Sequence, residues 1–71
     1  MEIKYTAVIE KDLDTGLYVG YIPNVNGAHS QGETIEELRD NLKEVLELIS
    51  EDGGIIETSI FVGIQNIDLA A

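Results

Sequence analysis

Asp12 and Asp14, followed by Gly16, are the nearest this sequence comes to a hard-oxygen metal site. A calcium loop built on Asp-x-Asp needs a third oxygen ligand and a closing glutamate at fixed spacing, and neither stands at its place here. The same residue types are what a tight turn between strands requires, so Asp12–Gly16 reads as a turn and no metal or cofactor is expected. His29 is the single histidine, and any Ser-His relay would have to use it. Its neighbour Ser30 would project to the opposite side of a strand, a poor geometry for passing a proton. Gly16, Gly20, Gly27 and Gly32 form neither GxGxxG nor GxxxxGK[ST]. Glu33, Glu36 and Glu37 occupy the start of the one clear helix, where a phosphate would need the positive end of the dipole to itself. No catalytic residue is expected, and the chain reads as a non-enzyme.

The remaining grouping is acidic. Glu44, Glu47, Glu51 and Asp52 crowd the far end of that helix, where the dipole favours cations. Two readings stand: general solubilising charge, or a patch that meets Lys and Arg of a basic partner. Leu48, beyond the edge of the apolar stripe, could join such a contact or the margin of the core. Over the whole chain, fourteen acidic residues against four basic ones give a net charge of -10. Such a field repels phosphate backbones, so direct nucleic-acid binding is not expected.

The elements that must position these groups belong to one domain, because 71 residues leave room for no second core. A chain of this size buries only about 60% of its unfolded surface, which makes self-association an economical source of stability. The absence of cysteine excludes zinc ribbons and disulfide scaffolds and fits a reducing cytoplasm. No signal-peptide pattern opens the chain and no apolar run approaches the ~18 residues of a membrane span, so a soluble cytoplasmic protein without membrane contacts is expected. Clear periodicity among the 44% hydrophobic residues argues against disorder.

Glu2 to Lys11 alternates, with Ile3, Tyr5, Ala7 and Ile9 on one side, as a half-buried strand does. Asp12–Gly16 turns the chain, and Leu17 to Ile22 forms the second strand with Leu17, Val19 and Tyr21 on the inner face. Pro23 ends it. A short third strand falls at Ala28 to Gln31. Thr34-Ile35-Glu36-Glu37 is a capping-box pattern, and Ile35, Leu38, Leu42, Val45, Leu46 and Ile49 make the stripe of an amphipathic helix that stops at Gly53-Gly54. Ile55 to Ile64, rich in β-branched residues, is predicted to be a fourth strand reached by a right-handed crossover. The fold class is therefore α+β: a three-stranded antiparallel meander, one helix and a fourth strand. Val8, Tyr18, Ile22, Ile55 and Phe61 would then face away from the helix. Their exposure, or the weakly charged edge of the last strand, predicts a homo-oligomer, at least a dimer.

The run Tyr18-Val19-Gly20-Tyr21-Ile22-Pro23-Asn24-Val25-Asn26-Gly27, followed by Ser30-Gln31-Gly32-Glu33-Thr34-Ile35-Glu36-Glu37-Leu38, resembles the HicB family. That family's pattern is an aromatic strand, Pro-Asp-x-x-Gly, then Gln-Gly-Asp-Thr and an acidic helix start. Tyr21 stands in the aromatic strand, and Pro23, Gly27, Gln31, Gly32, Thr34 and Glu37 match at the right spacing. Asn24 and Glu33 replace aspartates. The resemblance implies a partial RNase H-like fold with strand order 3-2-1-4, lacking that fold's nuclease carboxylates. It also implies an antitoxin that binds a small basic HicA-type mRNA-cleaving toxin and occludes its catalytic surface. Typical members carry a further DNA-binding domain, which the 71 residues do not include, so a stand-alone form is implied. The other expectation is an orphan ligand-binding or scaffolding domain whose partner is itself, and an RNase H-like hydrolase is the enzyme alternative.

Overall fold

A computed structural model describes residues 3–70. Three short strands, β1 (Val8–Lys11), β2 (Tyr18–Tyr21) and β3 (His29–Gly32), precede one helix, α1 (Ile35–Glu51). The strands form an antiparallel meander in the order β1-β2-β3, and α1 packs across β2 and β3. This is an α+β arrangement. No helix among the described residues is long and apolar enough to cross a membrane.

Local chemistry accounts for the connections. Asp12 Oδ1 accepts hydrogen bonds from the backbone N–H groups of Asp14 at 2.8 Å and Thr15 at 3.3 Å, and Thr15 Oγ1 accepts from Leu17 N at 3.2 Å. The Asp12 carboxylate is thus engaged in ordering its own turn. After β2 the chain makes a compact loop in which Ile22 N donates to Ala28 O at 2.9 Å and Val25 N to Ile22 O at 3.1 Å. Gly27 sits at φ +83, in the left-handed region that costs a residue with a side chain conformational energy. Thr34 caps α1, its Oγ1 accepting from Glu37 N at 3.0 Å. At the other end Asp52 N donates to Leu48 O at 3.0 Å, ahead of Gly53-Gly54.

The first segment turns Tyr5, Ala7 and Ile9 toward the helix side as their alternation predicts, but the face of β2 under the helix is not the one that its apolar residues predict. The register pairs Ile9 with Gly20 and Lys11 with Tyr18. A Cβ built on Gly20 would lie 3.1 Å from a methyl of Leu38, so the Ile9–Gly20 side faces α1 and carries Tyr18 and Ile22 with it. Ile22 is 4% exposed and forms the core with Val25 and Ala28, against which Tyr5, Ala7, Leu46, Ile49 and Ile55 pack. Val19 and Tyr21 lie on the outer face with Val8. Of the five residues expected on the uncovered face, then, Val8 is there, Tyr18 and Ile22 are on the helix side, Ile55 borders the core, and Phe61 belongs to no sheet. The reason is close approach: glycines at 20 and 32 let the helix settle where side chains would hold it off, and an apolar count along β2 gives glycine no weight.

The predicted fourth strand does not form, and with it go the order 3-2-1-4 and the crossover. Among the described residues the one ladder contact of Ile55 to Ile64 is an isolated bridge between Val25 and Glu57, supported by Thr58 N donating to Asn24 O at 3.0 Å and Ser59 Oγ to Pro23 O at 3.3 Å. The first strand is also shorter than Glu2 to Lys11; Glu2 lies outside the described residues, and pairing begins at Val8. A β-rich segment becomes a strand only when another strand offers its hydrogen bonds. The radius of gyration is 14.0 Å, against about 11 Å for a compact domain of this length. The C-terminal segment stands off the body as an arm.

Candidate protein-interaction surface

Along α1, Glu37, Asp40, Glu44, Glu47 and Glu51 follow one another at alternating spacings of three and four residues, and all are exposed. At roughly 100° per residue they fall within an arc of about 80° and extend over about 21 Å. That arc lies opposite the buried Leu38 and Leu42, so the row of carboxylates points directly away from the sheet. Like charges at these spacings weaken a helix, and the last turn holds no basic residue to offset them. Leu48, 58% exposed, borders the row and gives it an apolar margin.

Of the acidic residues singled out from the sequence, the structure places Glu44, Glu47 and Glu51 together in this row. Asp52 lies off it, as the C-cap. Glu37 and Asp40 extend the row by two further positions and were missed, although the three-four spacing was legible once the acids are mapped on helical geometry rather than grouped by proximity in sequence.

The motif residues divide by role. Gly32 permits the approach of α1, since a Cβ there would lie 2.7 Å from Leu38 N. Thr34 caps the helix with the N–H of Glu37. The carbonyl of Gln31 accepts from Asn41 Nδ2 at 2.8 Å, tying β3 to α1. Pro23 and Asn24 present carbonyls to Ser59 and Thr58, and Gly27 makes the loop turn possible. These residues build one strand-loop-strand-cap unit. On the outer sheet face it leaves the side chains of Tyr21 and Gln31 exposed, with His29 beside them. Tyr21, Pro23 and Gly27 line a shallow cleft of about 250 Å³ with His29 and Thr58.

His29 pairs with Tyr21 across the sheet on the outer face, whereas Ser30 pairs with Gly20 on the helix side, so the two do not meet. Among the described residues no three His, Cys, Asp or Glu side chains converge on a point where a metal ion would fit. The arrangement offers surfaces for contact: an acidic helix face and a mixed aromatic and polar sheet face.

A model of the family described as UPF0150-like matches residues 5–49, from the approach to β1 through most of α1. The chain is 44% identical over 64 residues to a UPF0150 protein of Synechocystis, covering 90% of this chain and 91% of that one. It is 46% identical over 66 residues to a UPF0150 protein of Thermotoga maritima, covering 92% and 88%. With a UPF0150 protein of Archaeoglobus fulgidus it shares 37% over 67 residues, 94% and 96% of the two chains. No solved structure matches it. On the family match and on relatives that align over nearly their whole length, the chain belongs to the UPF0150-like family.

Proposed function

We propose that this chain is a protein-binding module of the HicB antitoxin type, which neutralises a small basic HicA-type mRNA-cleaving toxin in the cytoplasm by covering its catalytic surface. The observation that carries this reading is the exposed acidic row Glu37–Asp40–Glu44–Glu47–Glu51, turned away from the core. Carboxylates held at about 5–6 Å intervals repel one another, and a partner bearing Lys or Arg relieves that repulsion while its approach is steered by the field. The strand-loop-cap unit of Tyr21, Pro23, Asn24, Gly27, Gln31, Gly32, Thr34 and Glu37 supports the HicB resemblance, because its spacing is tied to one particular loop and helix start. The partial RNase H-like assignment belongs to the same proposal and requires the C-terminal segment to find an edge to pair with.

Calorimetric titration of a HicA-type toxin into the full chain tests the reading. Binding is expected at low salt and weakens as ionic strength rises, since charges beyond a Debye length of about 10 Å at 0.1 M are screened. Absence of binding at both low and moderate salt overturns it. A second reading, a scaffolding domain that acts as a homo-oligomer without a toxin partner, is favoured by the exposed apolar side chains of the C-terminal segment.

A further inference from the structure

A cleft of about 620 Å³ runs between the N-terminal approach to β1 and the helix, with Tyr5, Leu38, Leu42 and Leu46 among its apolar walls. Lys4, Arg39 and Lys43 also line it, which gathers three of the four basic residues of a strongly acidic chain at one place. Beside it runs the open edge of β1, the first strand in the sheet order, whose outward N–H and C=O groups form a template for another strand. The C-terminal arm has the complementary character. Ile60, Val62 and Ile64 recur with the period of a strand and are highly exposed, Val62 at 95%. Glu57 and Asp68 are the charges of the segment, with no cation among residues 55–71.

We propose that the chain forms a reciprocal dimer in which residues 60–69 of one copy lie in the Lys4–Arg39–Lys43 cleft of the second copy and add to its β1 edge as a fourth strand. The occupant is a second copy because residues 60–69 are exposed throughout and none of them lines the cleft of their own chain. Ten extended residues reach about 33 Å, enough to lie along the length of a neighbouring domain. Strand addition satisfies backbone groups, alternate side chains enter the apolar cleft, and the Asp68 carboxylate meets the basic rim.

Light scattering after size exclusion of the full chain at micromolar concentration is expected to give twice the mass of one chain. The double variant Ile60→Asp, Ile64→Asp is expected to give a single-chain mass with the helical circular dichroism retained, because both positions are exposed and outside the core. Lys43→Glu is expected to raise the dimer dissociation constant about tenfold at low salt, the effect of two exposed ion pairs, one in each cleft of the reciprocal dimer. The chain has no cysteine, so copies carrying Ile9→Cys can be mixed and refolded with copies carrying Val62→Cys. A disulfide between the two kinds of copy supports the exchange. A monomer mass for the unaltered chain overturns the proposal, as does a disulfide that forms only within chains carrying both cysteines, which would put the arm in its own cleft. A dimer insensitive to the double aspartate variant overturns it in favour of the outer sheet face, and an unchanged dissociation constant for Lys43→Glu places the arm elsewhere.

Discussion

A Cβ on Gly32 would stand 2.7 Å from the backbone nitrogen of Leu38, so β3 and the first turns of α1 meet at a separation that only glycine permits. Among the described residues Leu38 is the one fully buried large side chain, and its position depends on this contact. The corresponding distance at Gly20 is 3.1 Å and ends on a side-chain methyl of Leu38 rather than on backbone.

Gly32→Ala is therefore expected to destabilise the fold more than Gly20→Ala. The first forces the helix off the sheet, at about 1–3 kcal/mol by the general cost of overpacking, whereas the second asks only for a small adjustment of Leu38. Urea midpoints of the two variants decide the order. Equal midpoints would mean that the helix backbone moves freely at this point.

The face assignment of β2 yields a second contrast. Ile22→Ala removes a core side chain and is expected to cost about 2–4 kcal/mol, while Val8→Ala, on the outer face, is expected to cost less than about 1 kcal/mol. Thermal unfolding by circular dichroism measures both. A larger loss at Val8 than at Ile22 would return Ile22 to the outer surface.

Thr34→Ala removes the hydroxyl that accepts from Glu37 N at 3.0 Å and is expected to lower stability by about 1 kcal/mol, with Thr34→Ser largely restoring it. The same unfolding measurement, with helical signal read at 222 nm, distinguishes the two.

Neutralising the acidic row separates its effect on the helix from its effect on binding. Glu44→Gln with Glu47→Gln is expected to raise the stability of the free chain by about 0.5 kcal/mol, because like charges three residues apart and acids near a helix C-terminus both cost energy. Affinity for a basic HicA-type protein is expected to fall, with a shallower salt dependence. Unchanged affinity in calorimetry would remove the row from the interface.

The chain is expected to leave labelled single- and double-stranded RNA intact in the presence of magnesium or manganese, since the net charge of -10 opposes binding and no metal-holding cluster is found among the described residues. Turnover abolished by a carboxylate substitution would restore the hydrolase alternative.

Elements whose hydrogen bonds close within a few residues were legible in the amino-acid order. Asp12 to Gly16 could be read as a turn because the Asp12 carboxylate bonds to Asp14 and Thr15, and the helix start could be read from Thr34 because its cap lies three residues away. The stripe of Leu38 and Leu42 repeated at helical spacing, so the buried side of α1 was legible too, although Ile35 at its start is exposed. The upper end of the acidic row was equally present in the spacing. Relations between distant segments emerged only with packing. Which side of β2 meets the helix was set by Gly20 and Gly32, whose importance is the space that they leave and which no hydrophobic pattern records. Ile55 to Ile64 has a strand's composition at every position, yet a strand is a relation between two segments. Unpaired with the β1 edge of its own chain, the same sequence stands as an exposed arm.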